Sequence, residues 1–191
     1  MMTDNSTYTI RRATPSDIAS IRKMADEAFR HTYRNILTPE QADYMMDWMY
    51  SETSLLSQLT TQRHTYCILS LPAEGDVGYV SFNRETPDDK RDSLDGENTD
   101  SDSTVIVFHL QKLYLLPSAQ GCGWGAVLFR HAERLMREAA GNASARFELN
   151  VNRNNRAVSF YEHMGMQKSR EGDFDIGHGY YMNDYIMSKP L

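Results

Sequence analysis

The sequence predicts an α+β domain of layered architecture, and three observations carry that expectation. The chain has 191 residues, enough for one ordinary domain with a real core, so residues 1–191 are read as a single domain. Hydrophobic residues make up 40% and charged residues 24%, a globular balance that excludes wholesale disorder. From Thr104 onward, strand-forming stretches alternate with amphipathic helical patterns, the order that lays helices on a sheet.

The elements follow in order. Residues 8–12 read as a short strand. Thr14-Pro15-Ser16-Asp17 is a helix start, with Thr14 as cap and Pro15 at the first helical position. Ile18, Ile21, Met24, Ala25 and Ala28 recur at helical spacing, which predicts a helix over 15–31. Thr38-Pro39-Glu40 repeats the start signal, and Met45, Trp48 and Met49 form an apolar stripe read as core packing. A short helix is expected over 54–61. Residues 66–71 and 77–82 carry strand chemistry on either side of a turn, which makes a hairpin.

Residues 87–102 (PDDKRDSLDGENTDSD) differ in kind. They hold seven acids, two bases and one large aliphatic residue, Leu94. Such a piece buries too little apolar surface to offset its ordering entropy, and a mobile loop is expected. Beyond it lie a strand over 105–115, a helix over 123–140, a strand over 146–151, a helix over 155–164 closed by Gly165, and strands over 167–171 and 180–188.

Charge and cysteine content exclude several classes. The formal charge of −6 argues against a general nucleic-acid binder. Without residues 87–102 the chain is nearly balanced, at 18 bases to 19 acids, so the acidity says little about a cationic substrate. Cys67 and Cys122 cannot make a disulfide framework, and no signal segment or run of about 18 apolar residues appears. A cytoplasmic protein without membrane contact is expected. The six histidines show no His-x-x-x-His grouping, and there is no Cys-x-x-Cys, so no metal is expected.

Chemistry concentrates at Gln120-Gly121-Cys122-Gly123-Trp124-Gly125-Ala126, between a strand and a helix. Three glycines in five positions let backbone approach a ligand, and the N–H groups of the helix start favour an anion, most plausibly phosphate. A tight connection alone explains the glycines equally well. A dinucleotide fingerprint requires the strand to run straight into the glycines, whereas residues 116–120 intervene; a P-loop requires a Lys that is absent. Cys122 has no His or acid beside it in sequence, which disfavours a thiol nucleophile.

Gln-x-x-Gly-x-Gly after Leu113-Tyr114-Leu115-Leu116-Pro117 resembles motif A of the GCN5-related N-acetyltransferase (GNAT) superfamily. Asn154-x-x-Ala157-Val158-x-Phe160-Tyr161-Glu162-x-x-Gly165-Met166 is similar to its motif B, in the right order and at the right spacing. The resemblance covers about residues 110–166. It implies a mixed, mostly antiparallel sheet with helices on both faces and a V-shaped splay between two central parallel strands. It implies acetyl-CoA as co-substrate, with the backbone of Leu113, Tyr114 and Leu115 pairing with the pantetheine arm. The turn from Gln120 to Ala126 would hold the pyrophosphate, and Asn154 would bind near the pantetheine end. The alternative for Asn154 is a helix N-cap. Relatives often carry Lys or Arg at the place of Cys122, so here phosphate affinity would rest more on backbone N–H groups.

The implied reaction is direct attack of a primary amine on the thioester. Tyr161 matches the motif B tyrosine and is expected to act as general acid toward the CoA thiolate. His109, on the central strand, is the candidate base, with Glu148 and a backbone-held water as rivals. Tyr33, Tyr44, Trp48, Tyr180 and Tyr181 are candidates for the acceptor-pocket wall. Asp43 and Asp47, four apart on one helix face, would hold a second ammonium if the acceptor were a polyamine; a solvated acidic face is the plainer alternative. The closing stretch from Asp175 to Tyr185 resembles bacterial members, polyamine-acetylating ones among them. The leading expectation is an N-acetyltransferase of a small amine, a polyamine being one example. Acetylation of a protein N-terminus or lysine, and a non-catalytic acyl-CoA sensor, are the alternatives. Relatives often dimerise, and a homodimer is the corresponding expectation.

Overall fold

A computed structural model describes residues 8–85 and 105–191. The acidic segment 87–102, with the expectation attached to it, lies outside the described residues. The chain divides into two compact units, one of residues up to Ser81 with Lys112–Ala132, the other of Phe82–Gln111 with Glu133–Leu191. No helix among the described residues is long and apolar enough to cross a membrane.

In the first unit the strands are β1 (Thr9–Arg12), β2 (Thr65–Leu71), the start of β3 (Gly75–Arg84) and the end of β4 (Ile106–Leu115), neighbours in that order. β1 and β2 pair antiparallel from Thr9↔Ser70 to Arg12↔Cys67. Three helices lie between β1 and β2 in sequence: α1 (Ile18–Tyr33), α2 (Pro39–Tyr50) and α3 (Glu52–Thr60). A 3-10 turn over Pro15–Asp17 leads into α1, and the Asp17 carboxylate accepts from the Thr14 N–H at 2.8 Å. Thr38 and Ser51 cap α2 and α3 by accepting from the N–H of Gln41 and Ser54. The α1 stripe is buried as its spacing requires, through Ile21, Met24, Ala25, Ala28 and Phe29. The stripe on α2 differs from the sequence expectation. Its buried face is Ala42, Met45, Met46 and Tyr50, and Trp48 is 49% exposed, stacked on Tyr44.

In the second unit the end of β3 and the start of β4 are followed across the sheet by β5 (Ala145–Asn152), β7 (Tyr180–Pro190) and β6 (Gln167–Gly177). β4 and β5 are the parallel pair, and their rungs run from Ile106↔Ala145 to His109↔Glu148. The pairing thus occupies the first four residues of each strand, while β4 continues to Leu115 and β5 to Asn152. β5–β7 and β6–β7 are antiparallel. The last hairpin is longer than its sequence suggested, because β6 runs to Gly177; the turn has positive φ at Gly177, His178 and Gly179. The helix α4 (Trp124–Ala140) follows β4, and α5 (Ala157–His163) follows β5, ended by Gly165 at φ +85°.

The β3–β4 ladder is irregular. It is bracketed by hydrogen bonds from Leu116 N to Val77 O and from Glu85 N to Val107 O. Between them β3 advances eight residues (77 to 85) and β4 nine (107 to 116), so β4 holds one extra residue, a bulge. Gly78 marks where β4 crowds β3. A Cβ there would lie 2.7 Å from the Tyr114 carbonyl oxygen and 2.5 Å from Leu115 Cδ2, so only glycine admits this approach.

Candidate functional site

In the first unit, β4 ends in a 3-10 turn (Pro117–Ala119) and the glycine turn. Gln120 braces the junction by donating from Nε2 to the Leu115 carbonyl at 3.1 Å. Gly121 and Gly123 take φ of +78° and +86°, a region closed to most side chains. Helix α4 then begins at Trp124, and its first intrahelical bonds come from the N–H groups of Ala126 and Val127 to Gly123 O. The N–H groups of residues 121–125 therefore donate to nothing among the described residues. A Cβ built at Gly121 or Gly123 meets nothing within 4 Å, so the space over the turn is open. Consecutive free donors at the start of a 17-residue helix make a cradle for a phosphate-like anion. Cys122 is exposed, with Sγ 3.7 Å from Gln120 O, and Trp124 is met edge-on by Tyr8 at 5.3 Å.

Leu113, Tyr114 and Leu115 close β4 and are partly buried, with the Tyr114 ring 5.9 Å from that of Tyr79. Beside them is an ionisable group that sequence reasoning missed. Lys112 is 8% exposed, and its Nζ donates to Gln58 Oε1 at 2.9 Å, the oxygen that also accepts from the Tyr66 hydroxyl. The ammonium lies 5.4 Å from the centre of the Tyr50 ring and 5.8 Å from that of Tyr66. No carboxylate pairs with it among the described residues, and burial pushes its pKa down to about 8. The same unit has a cleft of about 520 Å³ lined by Arg22, Asp26, Arg30, Asp43, Tyr44, Met46 and Asp47. Arg30 binds both Asp26 and Asp43 at 2.7 Å, so Asp43 and Asp47 do not form a pair of free carboxylates.

In the second unit, the rung His109↔Glu148 and the two-residue period of strands put His109, Glu148, Asn150 and Asn152 on one face. His109 Nδ1 lies 3.4 Å from Glu85 Oε1. Glu148 is held by Arg146 and Arg170, each at 3.1 Å, so its oxygens are already committed. Asn154 is exposed and its side chain makes no hydrogen bond among the described residues. At the start of α5 the Asn155 Oδ1 accepts from the Ala157 N–H at 2.9 Å, and Arg156, the residue before the helix, gives no side-chain cap. Tyr161 is buried on α5, in edge contact with Phe160, and its carbonyl accepts from the Met166 N–H. Tyr180 and Tyr181 open β7, Tyr181 being half exposed. The structure adds Asp184, buried on β7, whose carboxyl is pushed up to about 6 by burial. Its signal in the sequence was an acid on a strand otherwise rich in apolar residues. Among the described residues no three His, Cys, Asp or Glu side chains cluster as a metal site.

The model of the acetyltransferase (GNAT) family matches residues 20–166. No curated protein matches the sequence. Solved structures share the fold. The PaiA N-acetyltransferase of Thermoplasma acidophilum, crystallised with coenzyme A, aligns at TM-score 0.72 and 20% identity over 96% of this chain and 99% of its own. The spermidine/spermine N-acetyltransferase SpeG of Vibrio cholerae aligns at 0.61 and 17%, over 97% and 95%. Naa20 of Chaetomium thermophilum, solved with a bisubstrate analogue, aligns at 0.56 and 21%, over 96% and 86%.

The buried lysine makes a stability prediction. A pKa of about 8 in the fold against 10.5 in the open chain means that ammonium burial costs about 3 kcal/mol at 1.36 kcal/mol per unit, in full below pH 8. Between pH 8 and 10.5 the unfolded chain holds the extra proton, so stability rises with pH. Lys112→Met is expected to raise Tm at pH 7, with a gain that shrinks as pH climbs through that window. Thermal melts across the range check it; a lower Tm at pH 7 would mean that the Gln58 bond and the rings outweigh desolvation.

Proposed function

The chain belongs to the acetyltransferase (GNAT) family, and from that premise we propose that it moves the acetyl group of acetyl-CoA to the primary amine of a small molecule. The observation that carries the proposal is the run of partnerless N–H groups over residues 121–125, open to the outside and followed by a long helix. These donors suit a pyrophosphate, with Gln120, Gly121, Cys122, Gly123, Trp124, Gly125 and Ala126 forming the turn. The backbone of Leu113, Tyr114 and Leu115 would receive the extended pantetheine arm as an added strand, and the free amide of Asn154 would contact it.

When bound, the co-substrate supplies an acetyl thioester. The protein's task is protons. An aliphatic ammonium of pKa ~10.4 must lose its proton before attack, at roughly 4–5 kcal/mol at pH 7. His109 is the residue we assign to accept it, a reading supported by the Glu85 carboxylate 3.4 Å from its Nδ1. As the new N–C bond formed and the C–S bond broke, Tyr161 would give its hydroxyl proton to the departing sulfur and be reprotonated by the second proton that the nitrogen sheds on becoming an amide. A backbone N–H of β4 near Leu115 would donate to the carbonyl oxygen of the thioester.

The reading is tested by thiol release from acetyl-CoA across a panel of polyamines, amino acids and peptides. Turnover is expected on small primary amines. Faster turnover on peptides would move the assignment to protein acetylation, and coenzyme A binding without any turnover would make the chain an acyl-CoA sensor. Tyr161→Phe should lower kcat at least tenfold while leaving the Kd of acetyl-CoA nearly unchanged; unaltered turnover would remove the acid role. For His109, the pH–rate profile decides. Wild type should show an inflection that is missing in His109→Ala, and the same inflection in both proteins would exclude the histidine.

A further inference from the structure

The cleft between α1 and α2, in the first unit, holds charged groups that acetyl transfer does not use. Two ion pairs set how its walls face each other. Arg30, near the end of α1, meets Asp43, near the start of α2, at 2.7 Å. Arg22, near the start of α1, lies 3.9 Å from Glu52, which opens α3 just past the end of α2. The two helices therefore run antiparallel across the cleft. Residues four apart share a helix face, about 6 Å from one another. Arg22, Asp26 and Arg30 thus line one wall, and Asp43 and Asp47 the other. Asp26 and Asp47 stand between the two ion pairs. The cleft volume, about 520 Å³, is room for a small ligand.

These charges divide into a closed set and an open pair. Arg30 is committed on both sides, Nε to Asp26 and Nη1 to Asp43, each at 2.7 Å. Asp47 has no ion pair or side-chain hydrogen bond among the described residues. Arg22 has only the long contact with Glu52, and an exposed pair at that distance contributes almost nothing. One cation and one anion are left over in a single cavity. Tyr44 and Met46 supply its less polar lining, and the exposed Trp48 extends it by stacking on Tyr44. A polycation would meet both guanidinium groups, and a dianion would meet the three carboxylates. A divalent metal wants six or more oxygens, and no three acids cluster as a metal site among the described residues. A guanidinium takes a carboxylate through paired N–H donors, and a carboxylate accepts from the N–H groups of an ammonium. We propose that the α1–α2 cleft binds a free α-amino acid with an apolar side chain. Its carboxylate sits on Arg22, its ammonium on Asp47, and its side chain against Tyr44 and Met46. The proposal takes nothing from the acetyl-transfer reading.

The test reads binding, not turnover. L-Leucine is titrated into the full chain at pH 7.5 and followed by calorimetry and by NMR shifts of the Met46 and Asp47 backbone amides. Two relatives of leucine, each lacking one charge, are the controls: isoamylamine has no carboxylate, and 4-methylpentanoate has no ammonium. Saturable binding of leucine is expected, with both relatives at least tenfold weaker. Arg22→Gln and Asp47→Asn should each weaken leucine at least fivefold and leave Tm nearly unchanged, because both side chains are exposed. Arg22→Gln should also stop distinguishing leucine from isoamylamine, and Asp47→Asn should stop distinguishing it from 4-methylpentanoate. That crossed loss ties each charge of the ligand to one residue. Absent binding, either relative as tight as leucine, saturation without shifts at Met46 and Asp47, or undiminished affinity in either variant would overturn the proposal. Thiol release from acetyl-CoA plays no part in the readout, so the result is separate from the acetyltransferase assignment.

Discussion

Five consecutive N–H groups, at residues 121–125, have no acceptor among the described residues, and much of the surrounding structure exists to keep them that way. A backbone donor is normally paired at once, because leaving it unpaired away from water costs as much as a lost hydrogen bond. Here two glycines take positive φ, and the Gln120 side chain pins the turn to the end of β4. Helix α4 then adds its own unpaired first turn and its dipole. The unpaired groups are main-chain atoms, so they are presented whatever side chain stands at Cys122.

The buried charges divide according to what faces them. Glu148 meets two guanidinium groups and is satisfied within the fold. Lys112 meets an amide oxygen and two rings, which hold a cation weakly, and its proton becomes loose. Asp184 has no cation within ion-pair distance among the described residues, and burial makes its proton harder to remove. The first arrangement belongs to architecture. The other two reduce stability in the empty protein, and groups of that kind concentrate where a ligand or a reaction gives them a purpose.

Local rules made much of this legible. The helix starts at Thr14 and Thr38, the α1 stripe, the hairpin and the glycine end of α5 all depend on a few neighbouring residues. So does the glycine turn, because its donors are set by local φ and ψ. Long-range partners were not legible. Nothing near His109 in sequence points to Glu85, and Glu148 appeared as a rival base because Arg170, 22 positions away, gives no local signal. Trp48 was misplaced for a related reason: its spacing from Met45 fits a stripe, but the α2 surface that packs is centred on Met46 and Tyr50. Asp184 stands among apolar residues on β7, but its sequence does not give its cross-strand neighbours, Asn152 and Gly172, or its burial.

Strand β4 is legible in one respect and closed in another. Side chains alternate along a strand, and from Phe108 to Lys112 burial follows that period, with Phe108, Leu110 and Lys112 buried and His109 and Gln111 more open. Counting from His109 therefore sorts Lys112 onto the opposite face, but the count does not say what it meets there. Its acceptor, Gln58, lies 54 positions away in sequence, and the rings of Tyr50 and Tyr66 are as remote. At the end of the strand, residue 78 of β3 must be glycine to let Tyr114 and Leu115 pass, a close approach that no periodicity announces.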